Sequence, residues 1–189
     1  MNKILSISYF IDNLIKVISI LARWSVLIML GLGFWNVVGR YLGVIIGYNL
    51  SSNKLIEGQW YLFDVIFLLG LGWTLQTDTH VRVDIFQSQW TRKRKAIYEL
   101  LGTLILLLPF SIGVMIVSIS PTIQSWSIAE ASPDPNGLAR FWIKTLIPLS
   151  FLLLSLQGIS QAIKNWAYIR QSSNNKHTFL DKEKGIDRN

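Results

Sequence analysis

The sequence predicts an all-α membrane protein, with four transmembrane helices, an amphipathic arm ahead of them, and both termini on one side. Three observations predict it. Of 189 residues 51% are hydrophobic and only 15% charged, where a soluble domain carries about a quarter charged. The apolar residues gather into four blocks, each near the roughly 20 residues that cross about 30 Å of hydrocarbon at 1.5 Å per residue. Lysine and arginine, finally, crowd into alternate gaps between the blocks.

Residues 3–21 have Ile4, Ile7, Ile11, Leu14, Ile15 and Ile18 at helical spacing, with Lys3, Asn13 and Lys16 largely elsewhere on the wheel. This stretch can lie in the interface plane or extend the first span inward; an interfacial arm over 1–21 is the preferred reading. The spans follow at about 22–41, 57–76, 96–119 and 141–162, within a membrane domain of 22–170. The first block ends in Gly39-Arg40-Tyr41 rather than a small-x-small cleavage site, so it reads as a retained helix. Pro109 falls in the middle of the third span and predicts a kink there. Pro148 lies in the fourth. From Gln171 to Asn189 the chain is polar and reads as a disordered cytoplasmic tail.

Orientation follows from the basic residues. The N-terminal segment, the connection holding Arg82 and Arg92–Lys95, and the C-terminal segment together carry 14 of the 18 lysines and arginines. Four spans put these three regions on one side, which is then the cytoplasm; Arg40, Lys54, Arg140 and Lys144 are left on the other. The eight tryptophans divide evenly. Trp24, Trp73, Trp90 and Trp166 fall near inner boundaries, and Trp35, Trp60, Trp126 and Trp142 near outer ones.

These facts also exclude functions. The net charge of +7 serves topology and anionic lipid rather than nucleic acid. Without cysteine there is no disulfide, thiolate metal site or dithiol chemistry. His80 and His177 lie outside the apolar blocks, so no histidine is placed to ligate a haem, as a membrane dehydrogenase anchor would require. The chain has no phosphate-binding glycine loop, nucleophile motif or paired acids. No catalytic, cofactor or metal residues are expected.

Ionisable groups at membrane depth are costly unless paired. Asp64 lies seven residues past Glu57, about 10 Å into the second span. It reads as the partner of Arg40 or of a basic residue on another protein, or else as the ion carrier of a self-sufficient small transporter. Asp78-Thr79-His80-Val81-Arg82-Val83-Asp84 is the densest polar cluster, and its alternating valines fit a turn pinning the second span to the third better than a metal site. Thr91 is placed to cap the third helix. Between Ser120 and Arg140, Trp126, Glu130 and Ser132-Pro133-Asp134-Pro135-Asn136-Gly137 predict an ordered outer loop.

From Arg40 to Asp84 the sequence resembles the small membrane subunit of tripartite ATP-independent periplasmic (TRAP) transporters, the DctQ-like family. The matching pieces are Arg40-Tyr41, Gly70-Leu71-Gly72-Trp73 and, most distinctively, His80-Val81-Arg82-Val83-Asp84. Ala139-Arg140-Phe141-Trp142-Ile143-Lys144, Ile147-Pro148-Leu149 and Leu156-Gln157-Gly158-Ile159 extend the resemblance over roughly 10–170. Many members have a tryptophan followed by an acidic pair at the start of the second span. Here a single acid, Glu57, precedes Trp60, which looks more like the branch associated with mannitol, chloroaromatic and keto-acid systems.

The resemblance implies a bacterial inner-membrane subunit with no chemical step of its own. Its implied partners are a large elevator-type membrane subunit of about twelve spans, which carries the substrate and sodium sites, and a periplasmic solute-binding protein that delivers an organic anion. Arg40, Glu57, Trp60, Asp64, His80, Arg82 and Asp84 are the residues expected to fix the helices or meet the large subunit.

Overall fold

The computed structural model describes residues 2–48, 50–79 and 90–186, with side chains described for 5–48, 50–79 and 90–171. Helix α1 runs Asn2–Ile46 and α2 runs Asn53–Gln76. The third crossing is built from α3 (Arg92–Gly102), a π-helical segment (Thr103–Leu107) and α4 (Leu108–Ser127), and α5 runs Arg140–Ile186. Among the described residues there are no strands, and four helical stretches are long and apolar enough to cross a membrane. α5 packs against each of the other three crossings, and α1 and α2 form a second close pair.

The bundle is packed inside out relative to a soluble protein. Fully or nearly fully buried residues include Ser8, Ser19, Ser111, Ser125, Ser150 and Ser160, while Phe10, Leu27, Phe34, Leu106 and Val117 are exposed. Lipid is as apolar as leucine, so burying leucine between helices gains little. Small side chains gain close backbone approach and hydrogen bonds instead. Gly72 shows the tightness: a Cβ there would sit 3.1 Å from Ile15 Cδ1.

Three expectations are corrected. The boundary near residue 21 is absent, because α1 is one helix of 45 residues. At 1.5 Å per residue it is about 67 Å long, twice the hydrocarbon thickness. Ile15 packs on Gly72 of α2 and clusters with Leu153 of α5, so residues 8–21 run alongside the other helices instead of beyond them. Trp24 consequently lies level with the body of α2 rather than at its end. Arg23 reaches back a turn to the Ser19 carbonyl (3.4 Å) and lies 5.5 Å from the Trp73 ring centre, as a long cation inside an apolar layer does.

The polar stretch expected to be a tail is helical to Ile186. Extending a formed helix needs no new nucleus, and no proline interrupts the sequence after Pro148. The third helix also continues past Ile119, through Pro121, to Ser127. Its last turns are held on α5 by Thr122 Oγ1 donating to the Lys144 carbonyl (3.3 Å) and Trp126 Nε1 donating to Thr145 Oγ1 (2.8 Å).

At Pro109, where the sequence predicts a kink, the structure has a π-helical turn, Thr103–Leu107, closed by the Leu108 N–H bonding to the Thr103 carbonyl. One extra residue in the turn just before the proline relieves the clash of its ring with the preceding carbonyl. α5 meets this turn at Gly158, where a Cβ would lie 2.7 Å from Leu107 Cδ2. Thr91 occupies the N-cap position of α3 in extended conformation, but its side chain makes no capping bond.

Candidate functional site

Two polar clusters sit at opposite ends of the bundle. The first, at the end away from the termini, ties the connection 128–139 to α2. Glu57 has only 3% of its surface exposed. Its carboxylate accepts hydrogen bonds from the Ser132 hydroxyl and the Leu138 N–H. Tyr61 one turn later donates to the Leu138 carbonyl (3.4 Å), and Asn53 Nδ2 donates to the Pro135 carbonyl (3.2 Å). Three α2 side chains thus clamp one loop. Gly137 is required inside the clamp, because a Cβ would stand 2.6 Å from Glu57 Oε2.

Glu130 secures the loop from its other side. α4 ends in a Schellman motif, with Ala129 left-handed (φ 47°), the Ala129 N–H bonding to the Trp126 carbonyl and the Glu130 N–H to the Ser125 carbonyl. This turns the Glu130 carboxylate onto the Ser125 hydroxyl (2.7 Å) and Lys144 Nζ. Its carbonyl receives the Arg140 N–H at 2.8 Å and so starts α5. Because a left-handed alanine is strained, Ala129→Gly is expected to raise stability by about 1 kcal/mol, read as a higher melting temperature in detergent.

The hydrogen bond from Lys144, followed by that from Ser125, holds the Glu130 carboxyl below its ordinary value of 4.5. Such a group adds stability above the ordinary value and loses it as the pH falls through the depressed one. Hydrogen-exchange protection of the loop should be level from about pH 7 to pH 5 and fall as the pH drops below 4.5. Glu130→Gln should remove that acid-dependent part.

The second cluster, at the end carrying the termini, joins α1 to α5. Asp12 accepts from Gln157 Nε2 (3.1 Å) and the Ser160 hydroxyl (2.9 Å), and its other oxygen pairs with Lys164. One turn earlier the Ser8 and Ser160 hydroxyls lie 2.6 Å apart. Asp12 was absent from the sequence-based site residues. The signal that could have found it is a pair of matching stripes: Ser8, Asp12, Ile15 and Ser19 on one helix face, and Gln157, Ser160 and Lys164 on another.

Of the expected site residues, Glu57 enters a cluster. Arg40 is exposed and has no ion-pair partner among the described residues. Its expected pairing with Asp64 within the chain does not form. Gly39 lies against Leu50, before α2 begins, whereas Asp64 is eleven residues into that helix, so the two are roughly 15–20 Å apart along the bundle. Trp60 is exposed, and Asp64 lines a shallow groove between α2 and α5. His80, Arg82 and Asp84, and with them the expected turn, lie outside the described residues. A groove of about 590 Å³ between α2, the third crossing and α5 is walled mainly by leucines, with Glu99, Thr103 and Gln161 its polar members. No three potential metal ligands gather among the described residues.

The sequence pattern of the family described as tripartite ATP-independent periplasmic transporters, DctQ component, matches residues 29–167. The chain belongs to the DctQ family. No individually curated protein matches it. As a DctQ chain it is the small permease component of a TRAP transporter, a multi-pass membrane protein and a transport subunit rather than an enzyme. The pieces that carried the resemblance acquire physical roles in this DctQ fold. Gly72 admits Ile15, Gln157 holds Asp12, Gly158 admits the π-turn, and Lys144 holds Glu130.

Proposed function

We propose that this DctQ chain is the fixed brace of the transporter's membrane pair, in the bacterial inner membrane with both termini cytoplasmic. Its partners in this reading are a large membrane subunit of about twelve spans, which moves an organic anion of the carboxylate type together with sodium, and a periplasmic solute-binding protein. One observation carries the reading: the acids of both clusters are already committed within the chain. Glu57 holds a loop, Glu130 a lysine and Asp12 the last helix. Binding a carboxylate and coupling ions calls for convergent, uncommitted polar groups, as secondary transporters build at their midplane. The crowding of basic residues at the end that carries the termini supports the orientation.

Affinity capture of the tagged chain from native membranes tests the proposal. It should bring down one large, highly hydrophobic polypeptide, while vesicles holding the chain alone show no solute flux. Capture of no such polypeptide would defeat it. The competing reading, an independent transporter driven by Asp64, draws on the absence of a partner for that carboxylate among the described residues. It predicts ion-coupled flux from the chain alone, abolished in Asp64→Asn.

A further inference from the structure

We infer that Asp64 is the docking point for a lysine or arginine of the large membrane subunit, received in the groove between α2 and α5. The inference rests on the bracing role above and adds to it the place and the chemistry of the contact. Asp64 is half-buried eleven residues into α2, at a depth where a carboxylate facing hydrocarbon is costly unless a cation meets it. Every other acid with a described site in the membrane half of the fold has its partner in the chain: Glu57 its loop donors, Asp12 its lysine, Glu99 an amide donated by Asn165 at 3.3 Å. Asp64 accepts no hydrogen bond and forms no ion pair among the described residues.

Within the chain Lys144 lines the same groove, but it is held by Glu130. The missing charge is then supplied from outside. The groove has the shape for it. Its volume is about 250 Å³, and Phe67, Ile143 and Ile147 wall it, so the alkyl stem of a basic side chain can lie on apolar surface while its head reaches the carboxylate. Trp60, Phe63 and Phe67 stand exposed at i, i+3 and i+7 along the same helix. They form an aromatic ridge of the kind that anchors interfaces and whose ring faces attract cations. Charge complementarity thus selects the occupant: a cationic side chain of a membrane-embedded partner.

The test uses the tagged full chain co-expressed with its large subunit and purified in mild detergent. Asp64→Asn is expected to lower the recovered large subunit by about tenfold or more, because removing one member of a desolvated charge pair strands the other. Asp64→Glu should retain it. Asp64→Lys should lose it, and reversal of one basic residue on the large subunit should restore it. The melting temperature of the isolated chain should be the same in Asp64→Asn and wild type, since the carboxylate bonds nothing within the chain.

Undiminished recovery with Asp64→Asn would overturn the inference and leave the bracing role standing. A complex that assembles normally with Asp64→Asn but loses uptake would also overturn it, in favour of an ion-carrying carboxylate. If the wild-type chain recovers no large subunit, the bracing role and the inference fall together.

Discussion

Glu57→Ala is expected to release residues 132–138 of the outer connection from α2. The substitution strands the Leu138 N–H and the Ser132 hydroxyl, both of which donate to this one carboxylate, and a donor left without an acceptor costs more than the bond contributed. It also opens a void under Gly137, whose Cα sits where no side chain fits. The remaining ties to α2, from Tyr61 and Asn53, are longer bonds at 3.4 and 3.2 Å, and only the Glu130 end keeps its own anchors on Ser125 and Lys144. We expect a melting temperature in detergent lower by about 5 °C or more, with proteolysis appearing between residues 132 and 138. Glu57→Gln keeps one acceptor oxygen and should fall between the two. A loop as resistant in Glu57→Ala as in wild type would show that the clamp does not hold it.

Asp12→Ala is expected to have a comparable effect at the opposite end. It removes the acceptor for Gln157 and Ser160 and leaves Lys164 without its counter-charge at the α1–α5 contact. Breaking a fully buried pair from one side costs about 3 kcal/mol or more. Because Lys164 remains partly exposed, solvent offsets some of that. Asp12→Asn retains an oxygen for Gln157 and Ser160 and should cost less. Combining Asp12→Asn with Lys164→Met should cost less than the two separate losses added together, since each alone already breaks the pair. Thermal unfolding of the four proteins side by side measures this coupling. Strict additivity would mean that the two charges do not stabilise one another.

Much of the fold was legible in the residues, and the reasons are physical. Apolar blocks long enough to cross a bilayer can scarcely be anything but helices, since a backbone in lipid must satisfy its own hydrogen bonds. The basic gaps and the DctQ motifs added the family. The clamp at Glu57 was half legible: an acid opening a span and a loop rich in proline and glycine were both visible. Their mutual contact, 75 residues apart in sequence, was not. Asp12 escaped because the usual rule for amphipathic helices was applied to a helix in lipid. On the apolar stripe Ile11 and Ile15 are buried but Ile7 and Leu14 are exposed, whereas the polar Ser8 and Ser19 are buried. Where the solvent is hydrocarbon, apolar periodicity alone does not mark the buried face, and small polar residues such as serine share it.

The π-turn at Thr103–Leu107 has a consequence for how the third crossing could have been tuned. On this crossing the buried positions step from Ala96 to Thr103, seven residues, and then to Ser111, eight. That slip of one residue is about 100° of rotation in an α-helix, and the wide turn absorbs it. The two half-helices therefore keep separate phases against α5, like two gears on one shaft with a slipped tooth between them. Sequence can drift on either side without the other half losing its mesh, whereas deletion of a single residue inside the turn would lock the phases together and swing Arg92–Lys95 to a new bearing.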